Sequence, residues 1–115
     1  MIRGDDVILT HLRRGALEYC VLAMLQPGQL YGLDIARRLT ASGVLMSSEG
    51  TLYPLLARLR RAALVSTTWQ ESNEGPPRRY YRLTADGREA LIAFRRTWQP
   101  FRDAVDATLQ QGGTA

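Results

Sequence analysis

Apolar residues recur at steps of three and four along three stretches in the first half of the chain, which predicts three amphipathic helices. The first covers Leu12–Gln26 and is ended by Pro27-Gly28. The second covers Leu30–Ser42, and the third covers Ser47–Leu64. Residues 1–12 have a mixed pattern, which predicts either a short helix or an arm that packs on a partner.

The third stretch has two unlike faces. Its leucines form an apolar stripe, and Ser48 is expected to cap its N-terminus. Pro54 would lie inside this helix beyond the first turn, where it removes a backbone hydrogen bond. The opposite face carries Ser47, Thr51, Tyr53, Arg58 and Arg61. Hydroxyls and arginines can reach base edges or phosphates, so this face suits a DNA major groove; an ordinary solvated surface helix is the alternative. Helices two and three together predict a helix-turn-helix.

Two alternating segments follow, Leu64–Gln70 and Arg78–Leu83, and predict an antiparallel β-hairpin. The turn residues between them, Ser72–Pro77, predict a loop longer than two residues. A hairpin that follows a helix-turn-helix is a wing. Arg78 and Arg79 stand where the loop enters the second strand, which favours contact with a DNA minor groove or backbone over a merely solvated loop.

The last predicted helix is expected to begin at Thr84 as its N-cap. Its apolar residues are spaced by three and four, as in a coiled-coil seam: Leu91, Phe94, Trp98, Phe101 and Val105. Because this helix lies beyond a complete small core, the seam is expected to dock on a second copy of the chain. Pro100 should kink the helix or restart it after Gln99, and residues 110–115 are expected to fray.

The pattern therefore predicts a mainly α fold with a small β-hairpin, namely a winged helix-turn-helix plus one C-terminal dimerisation helix. The predicted divisions are residues 1–83 for the DNA-binding domain, 84–110 for the dimerisation helix and 111–115 for a tail. The charge agrees with this division. All 15 basic residues are arginine, and the net charge is +4. Residues 1–82 hold 11 Arg against 7 Asp and Glu, whereas residues 83–115 hold 4 of each, so the excess lies in the front of the chain.

Other classes of function find little support in the composition. One cysteine, Cys20, and one histidine, His11, cannot make a His/Cys zinc set or an internal disulfide. The carboxylates are scattered, with no nucleophile–base pair and no phosphate-binding glycine loop, so neither an enzyme nor a cofactor is expected. No apolar run approaches about 18 residues, so no membrane partner and a cytoplasmic location are expected.

Particular residues also indicate a family. Five segments in this order resemble the PadR family of bacterial transcriptional regulators: Arg14–Glu18, Leu25, Tyr31–Ile35, Gly50–Leu59 and Arg79–Gly87. The Gly-Thr-Leu-Tyr-Pro run at residues 50–54 is the most distinctive of them. With one helix after the wing, the chain is similar to the short PadR subgroup. Arg60 and Ala63 depart from the family pattern, which has Glu and often Gly at these places.

The resemblance implies a homodimeric repressor that binds a two-fold operator in double-stranded DNA and is released by a small effector. Carried over by position, the DNA contacts would be Tyr31, Ser48, Thr51, Tyr53, Arg78 and Arg79, with Arg13 and Arg14 touching the backbone. Short PadR proteins that bind planar aromatic drugs stack them on a Trp of the last helix, where this chain has Trp98 flanked by Phe94 and Phe101. Packing in the seam is the alternative for that Trp. A winged-helix module that binds protein instead of DNA is the alternative function.

Overall fold

A computed structural model describes residues 4–113 of the protein, with side-chain positions as far as residue 111. Its elements run in the order α1 Gly4–Leu25, β1 Leu30–Tyr31, α2 Gly32–Thr40, a 3-10 turn Glu49–Thr51, α3 Leu52–Arg61, β2 Val65–Ser72, β3 Gly75–Leu83 and α4 Ala85–Gly113. The strands form one antiparallel sheet in the order β1-β3-β2. The predicted mainly α, winged-helix fold is confirmed. None of the helices within this described range is long and apolar enough to cross a membrane.

Helix α1 begins eight residues before its predicted start. It runs without a break from Gly4, so residues 4–12 belong to the same helix as the buried stripe; residues 1–3 of the predicted arm lie outside the described range. Val7, Ile8 and Leu12 are 45%, 58% and 63% exposed. Because these apolar side chains are exposed and form no buried stripe, periodicity could not show the extension.

A strand of two residues stands where the second helix was expected to begin. Leu30 pairs with Tyr81 and Tyr31 with Tyr80, and α2 starts only at Gly32. Two residues are too few to show a period of two, so the sequence could not indicate this strand. It places Tyr31 between the wing and the N-terminus of α2.

The start of α3 differs from the prediction in two ways. Ser48 has the extended backbone of an N-cap, with φ −150° and ψ 160°, but its side chain makes no capping hydrogen bond, and a 3-10 turn precedes the helix. Pro54 is the third residue of α3 and lies in its first turn, so the predicted interior position is wrong. Backbone N–H groups in a first turn have no partner inside the helix, so proline costs little there.

The end of α3 is a Schellman motif with alanine in place of glycine. The N–H of Leu64 donates to the carbonyl O of Leu59 at 3.0 Å, and the N–H of Ala63 donates to that of Arg60 at 3.0 Å. This ring of bonds requires a left-handed residue, and Ala63 has φ 60°. A left-handed L-residue costs roughly 1–2 kcal/mol, which explains the glycine that PadR proteins often carry here.

The wing, defined as β2 and β3, is a tighter hairpin than predicted. Ser72 pairs with Gly75, so Asn73 and Glu74 form a two-residue turn and the predicted longer loop is wrong. The pairing register shifts by one residue between Gln70 and Ser72, as in a β-bulge. The sequence pattern did not indicate that β3 starts at Gly75, because Pro76 and Pro77 are unfavourable in strands. Arg78 and Arg79 therefore lie within β3 and not at a loop junction.

The first turn of α4 is fixed to the end of α3. The Thr84 Oγ1 accepts a hydrogen bond from the N–H of Gly87 at 3.0 Å, which confirms the predicted cap, and donates to the carbonyl O of Ala63 at 2.7 Å. The N–H of Thr84 donates to the carbonyl O of Leu64 at 3.2 Å. Gly87 is required here, because a Cβ would overlap the carbonyl O of Leu64 and lie 2.7 Å from Leu83 Cδ1. We call residues 63–64 and 84–87 the junction.

Beyond the junction, α4 continues through Pro100 to Gly113, so the predicted restart after Gln99 does not occur and residues 110–113 are helical. Residues 114 and 115 of the predicted tail lie outside the described range. Leu91 is 2% exposed and belongs to the chain's own core with leucines of α1, α2 and α3. Its predicted place in the dimer interface is therefore wrong, because no side-chain surface is left for a partner.

Candidate nucleic-acid interface

The outer side of α3 and of the turn before it gathers the predicted contacts. Leu52, Leu55, Leu56 and Leu59 are at most 5% exposed and fix the inner side of the helix in the core. The predicted residues on the other side are all exposed: Ser47, Ser48, Thr51, Tyr53, Arg58 and Arg61. The structure thus brings together short hydroxyl side chains at the start of this surface and cations at its end.

The two wing arginines point to opposite faces of β3, because side chains alternate along a strand. The guanidinium carbon of Arg78 lies 5.0 Å from the ring centre of Tyr31, and that of Arg79 lies 4.8 Å from the ring centre of Trp69. Both distances fall within the range of cation–π attraction. The rings of Tyr31 and Tyr80 are 5.8 Å apart, so Tyr31 joins the wing to α2 through its side chain as well as its backbone.

A cleft of about 310 Å³ separates the wing from α3. Its lining residues define what we call the wing cleft: Tyr31, Gly32, Tyr53, Trp69, Arg79 and Tyr81. Gly32 lies beside two of these tyrosines: a Cβ there would be 3.5 Å from Tyr81 Cε1 and 3.6 Å from Tyr53 Cε1, which is ordinary van der Waals contact. The cleft therefore has aromatic walls and one cation.

Tyr53 is the link between α3 and the wing cleft. Partial burial raises the pKa of its phenol, and the nearby Tyr31, Glu49 and Tyr81 raise it further. The hydroxyl therefore stays protonated well above neutral pH. A protonated phenol can donate a hydrogen bond to a phosphate oxygen, which an ionised one cannot.

The predicted contacts on the α1 side are partly occupied within the chain. The Arg13 side chain donates from Nε to the carbonyl O of Val44 at 2.7 Å and from Nη2 to that of Gly43 at 2.9 Å. Arg13 thus holds the turn after α2, where Gly43 has φ 75°, and these bonds compete with its predicted phosphate contact. Arg58 pairs with the carboxylate of Glu18 at 3.7 Å. Arg14 is exposed and lines a second cleft of about 360 Å³ between α1 and α3.

The seam of α4 carries a continuous row of rings. Phe94 stacks on Tyr19 of α1 with ring centres 4.3 Å apart and on Trp98 with centres 5.7 Å apart, and Trp98 lies 6.4 Å from Phe101. Phe94 is half-buried, whereas Trp98, Phe101 and Val105 are 40%, 61% and 40% exposed. One face of Phe94 is therefore covered by the chain itself, and the open aromatic surface belongs to Trp98 and Phe101.

Trp69 is the residue at this interface that sequence reasoning missed. It is 63% exposed and faces Arg79 across the hairpin. The overestimated loop concealed part of this pairing, because the register of a hairpin depends on the length of its turn. Counting back from the two-residue turn would place Trp69 opposite Arg78, and the register shift between Gln70 and Ser72 moves its partner to Arg79.

Metal and thiol chemistry have no visible basis in the described part of the chain. No group of three or more His, Cys, Asp or Glu side chains there could hold a metal ion. Burial raises the pKa of the Cys20 thiol, which keeps it protonated and weakly nucleophilic.

Known proteins share this arrangement. Residues 21–93 match the model of the PadR-like family of transcriptional regulators. A PadR-like regulator of Bacillus cereus is 34% identical, with a TM-score of 0.77 over 87% of this chain and 97% of that one. A PadR family regulator of Eggerthella lenta is 32% identical, with a TM-score of 0.78 over 90% of each chain. The protein therefore belongs to the PadR-like family of transcriptional regulators, which are DNA-binding proteins and not enzymes.

Proposed function

We propose that this regulator acts as a homodimer that binds a two-fold operator and represses transcription until a small effector releases it. One observation supports the assignment of the DNA-binding surface. The exposed side of α3, which carries hydroxyl and arginine side chains, lies next to two wing arginines that are held on aromatic rings. The assigned contacts are Tyr31, Ser47, Ser48, Thr51, Tyr53, Arg61, Arg78 and Arg79, with Arg14 and Arg58 at the margin. Arg13 is assigned to holding the turn after α2 rather than to DNA.

The dimer part of this proposal rests on α4. From residue 95 to residue 111 every residue of the helix is exposed, so this segment packs little on the rest of the described chain. In proteins most of the stability of a helix comes from tertiary packing of its apolar side. Trp98, Phe101 and Val105, together with the exposed Leu109, supply the apolar side that a second copy would cover. Two copies would place two α3 helices about 34 Å apart, one helical turn of DNA.

A mobility shift tests the function directly. The probe is the DNA immediately upstream of the protein's own gene, with excess scrambled competitor, at two salt concentrations. A shift that resists competitor and weakens steeply with salt is expected, with a slope of about −0.9 for each phosphate contact. A folded dimer that shifts neither this probe nor any duplex recovered by random-sequence selection would instead favour the protein-binding module.

Removing either the Tyr53 phenol at α3 or a wing cation should weaken operator binding while the dimer survives. We expect Tyr53→Ala and Arg78→Ala each to cost about 1–3 kcal/mol of binding free energy, and Arg78→Ala to reduce the salt slope by about one. Fluorescence anisotropy with a labelled operator measures both. Arg96→Ala, which removes an exposed arginine of α4, serves as the matched control. Wild-type affinity in either variant would remove that residue from the interface.

Effector binding is assigned to the open rings of the seam, Trp98 and Phe101, with half-buried Phe94 behind them. A planar aromatic compound can stack on an indole, and in the proposed dimer it would lie between the two copies at the seam. In a Trp69→Phe background, where Trp98 is the one remaining tryptophan of the sequence, planar polycyclic dyes should quench its emission in a saturable manner. Unchanged emission across a broad panel of such dyes would refute the assignment.

A further inference from the structure

The wing carries a large exposed aromatic side chain that neither the core nor the seam explains. Trp69 lies on β2, far from α4 in the sequence, and is 63% exposed. Tryptophan is highly buried on average, so its exposure on the hairpin is unusual. Its cross-strand partner in the register is Arg79, and the two side chains share the face of the hairpin that lines the wing cleft.

Stacking, and not hydrogen bonding, holds the Arg79 side chain. Its guanidinium carbon lies 4.8 Å from the ring centre of Trp69. Its Nε is buried and has no hydrogen-bond partner within the described residues. An unpaired buried donor costs about 1–3 kcal/mol, so this position of the side chain is not the one that internal hydrogen bonding would select.

Arg78 is also placed over a ring, that of Tyr31, but Arg13 and Arg58 are held differently. Arg13 is held by two backbone carbonyls and Arg58 by the Glu18 carboxylate, and a phosphate would have to displace these acceptors. A guanidinium that lies over a ring is oriented without the use of an acceptor, and its N–H donors remain in the plane of the group. Arg79 is therefore oriented and still able to bind a phosphate.

The wing cleft is also where a DNA strand must pass. If α3 occupies a major groove and the wing reaches the neighbouring minor groove, the sugar–phosphate strand between the two grooves crosses the space between α3 and the wing. That space is lined by Arg79 on one side and by Tyr53, a protonated phenol, on the other. Both side chains can donate to a phosphate oxygen.

We propose that Trp69 is a positioning residue for DNA binding, which stacks under Arg79 and directs it toward a backbone phosphate seated in the wing cleft. This inference rests on the proposed function and adds to it a residue and a subsite. In this role Trp69 confers no preference for a particular DNA sequence, because the phosphate that Arg79 binds is present in every sequence.

Binding of a fluorescein-labelled 30-base-pair duplex of mixed sequence, measured over a series of salt concentrations, tests this role. Trp69→Leu should weaken binding about 10-fold at low salt and reduce the salt slope by about one, because one phosphate contact is lost. Trp69→Phe retains a ring under Arg79 and should recover most of the affinity and the slope. Arg79→Gln should match Trp69→Leu, and the double variant should lose little more than either, since both act through one contact.

Ile92→Ala is the matched control, because it removes an exposed apolar side chain, 58% exposed, from α4. Circular dichroism establishes that each variant is folded. An unchanged affinity in Trp69→Leu would overturn the inference, and so would a weaker affinity with an unchanged salt slope, which indicates a purely structural role. Failure of the wild-type protein to bind any duplex would instead refute the proposed function, and the inference would fall with it.

Discussion

Gly87→Ala is expected to destabilise the protein by about 3 kcal/mol, the upper part of the usual range for overpacking. The added Cβ would overlap the carbonyl O of Leu64 and lie 2.7 Å from Leu83 Cδ1. The carbonyl belongs to the backbone and already accepts the N–H of Thr84, so it cannot retreat without the loss of that bond. Helix propensity acts in the opposite direction, since alanine is favoured over glycine by about 1 kcal/mol inside a helix, but the overlap outweighs it.

Thermal unfolding followed by far-ultraviolet circular dichroism, at a fixed protein concentration, measures the effect. A loss of this size should lower Tm by about 10 °C. The matched control is the reverse substitution across the junction, Ala63→Gly. Because Ala63 has φ 60°, glycine there relieves a left-handed conformation and should stabilise the fold by about 1 kcal/mol. If Gly87→Ala left Tm unchanged or raised it, the claim that the junction has no room for a Cβ at residue 87 would be refuted.

The second large effect is expected at the seam, where Phe101→Glu should convert the protein into a monomer. Phe101 is 61% exposed between Trp98 and Val105, and a dimer through this side of α4 would bury all three. A glutamate there would bring two unpaired charges together in an apolar interface, which is strongly unfavourable. Sedimentation should then give a mass near 12.9 kDa instead of twice that value.

Operator binding should weaken along with the dimer. A dimer that binds two half-sites at once has an affinity about 10²–10⁴-fold higher than a single winged-helix domain, and the monomer would lose this advantage. Ala107→Glu places the same charge on an exposed position of α4 away from the seam and should leave both the mass and the affinity unchanged. A dimeric Phe101→Glu variant at micromolar concentration would show that the copies meet elsewhere.

The helices that pack in the core were predictable, because burial imposes a period on the sequence. The stripe of α3, the cap at Thr84 and the order of the elements all follow from local rules of spacing and capping. The errors occur where local rules give no signal. The exposed start of α1 has no buried face, β1 is too short to show a period, and Leu91 continues the spacing of the seam although it points into the core.

The candidate nucleic-acid interface was likewise predictable only in part. The exposed polar side of α3 could be predicted, since the apolar side fixes the direction of the rest. Side-chain partners could not, because they depend on distances between elements that are far apart in the sequence. Arg13 and Arg14 are neighbours of one type, yet Arg13 binds the backbone after α2 while Arg14 is exposed. The pairing of Trp69 with Arg79 depends on the two-residue turn together with the register shift beside it, which only the structure shows.

The junction also has a mechanical consequence. Backbone and Thr84 hydrogen bonds tie the first turn of α4 to the end of α3, and Gly87 leaves no gap between them, so the two helices form one stiff bracket. With 29 residues at about 1.5 Å each, α4 is a lever roughly 43 Å long. Any torque applied at its far end would turn α3 without the unfolding of an intervening element. In the proposed dimer, a change in the angle at which the two α4 helices cross would therefore alter the separation of the two α3 helices and their fit to successive turns of DNA.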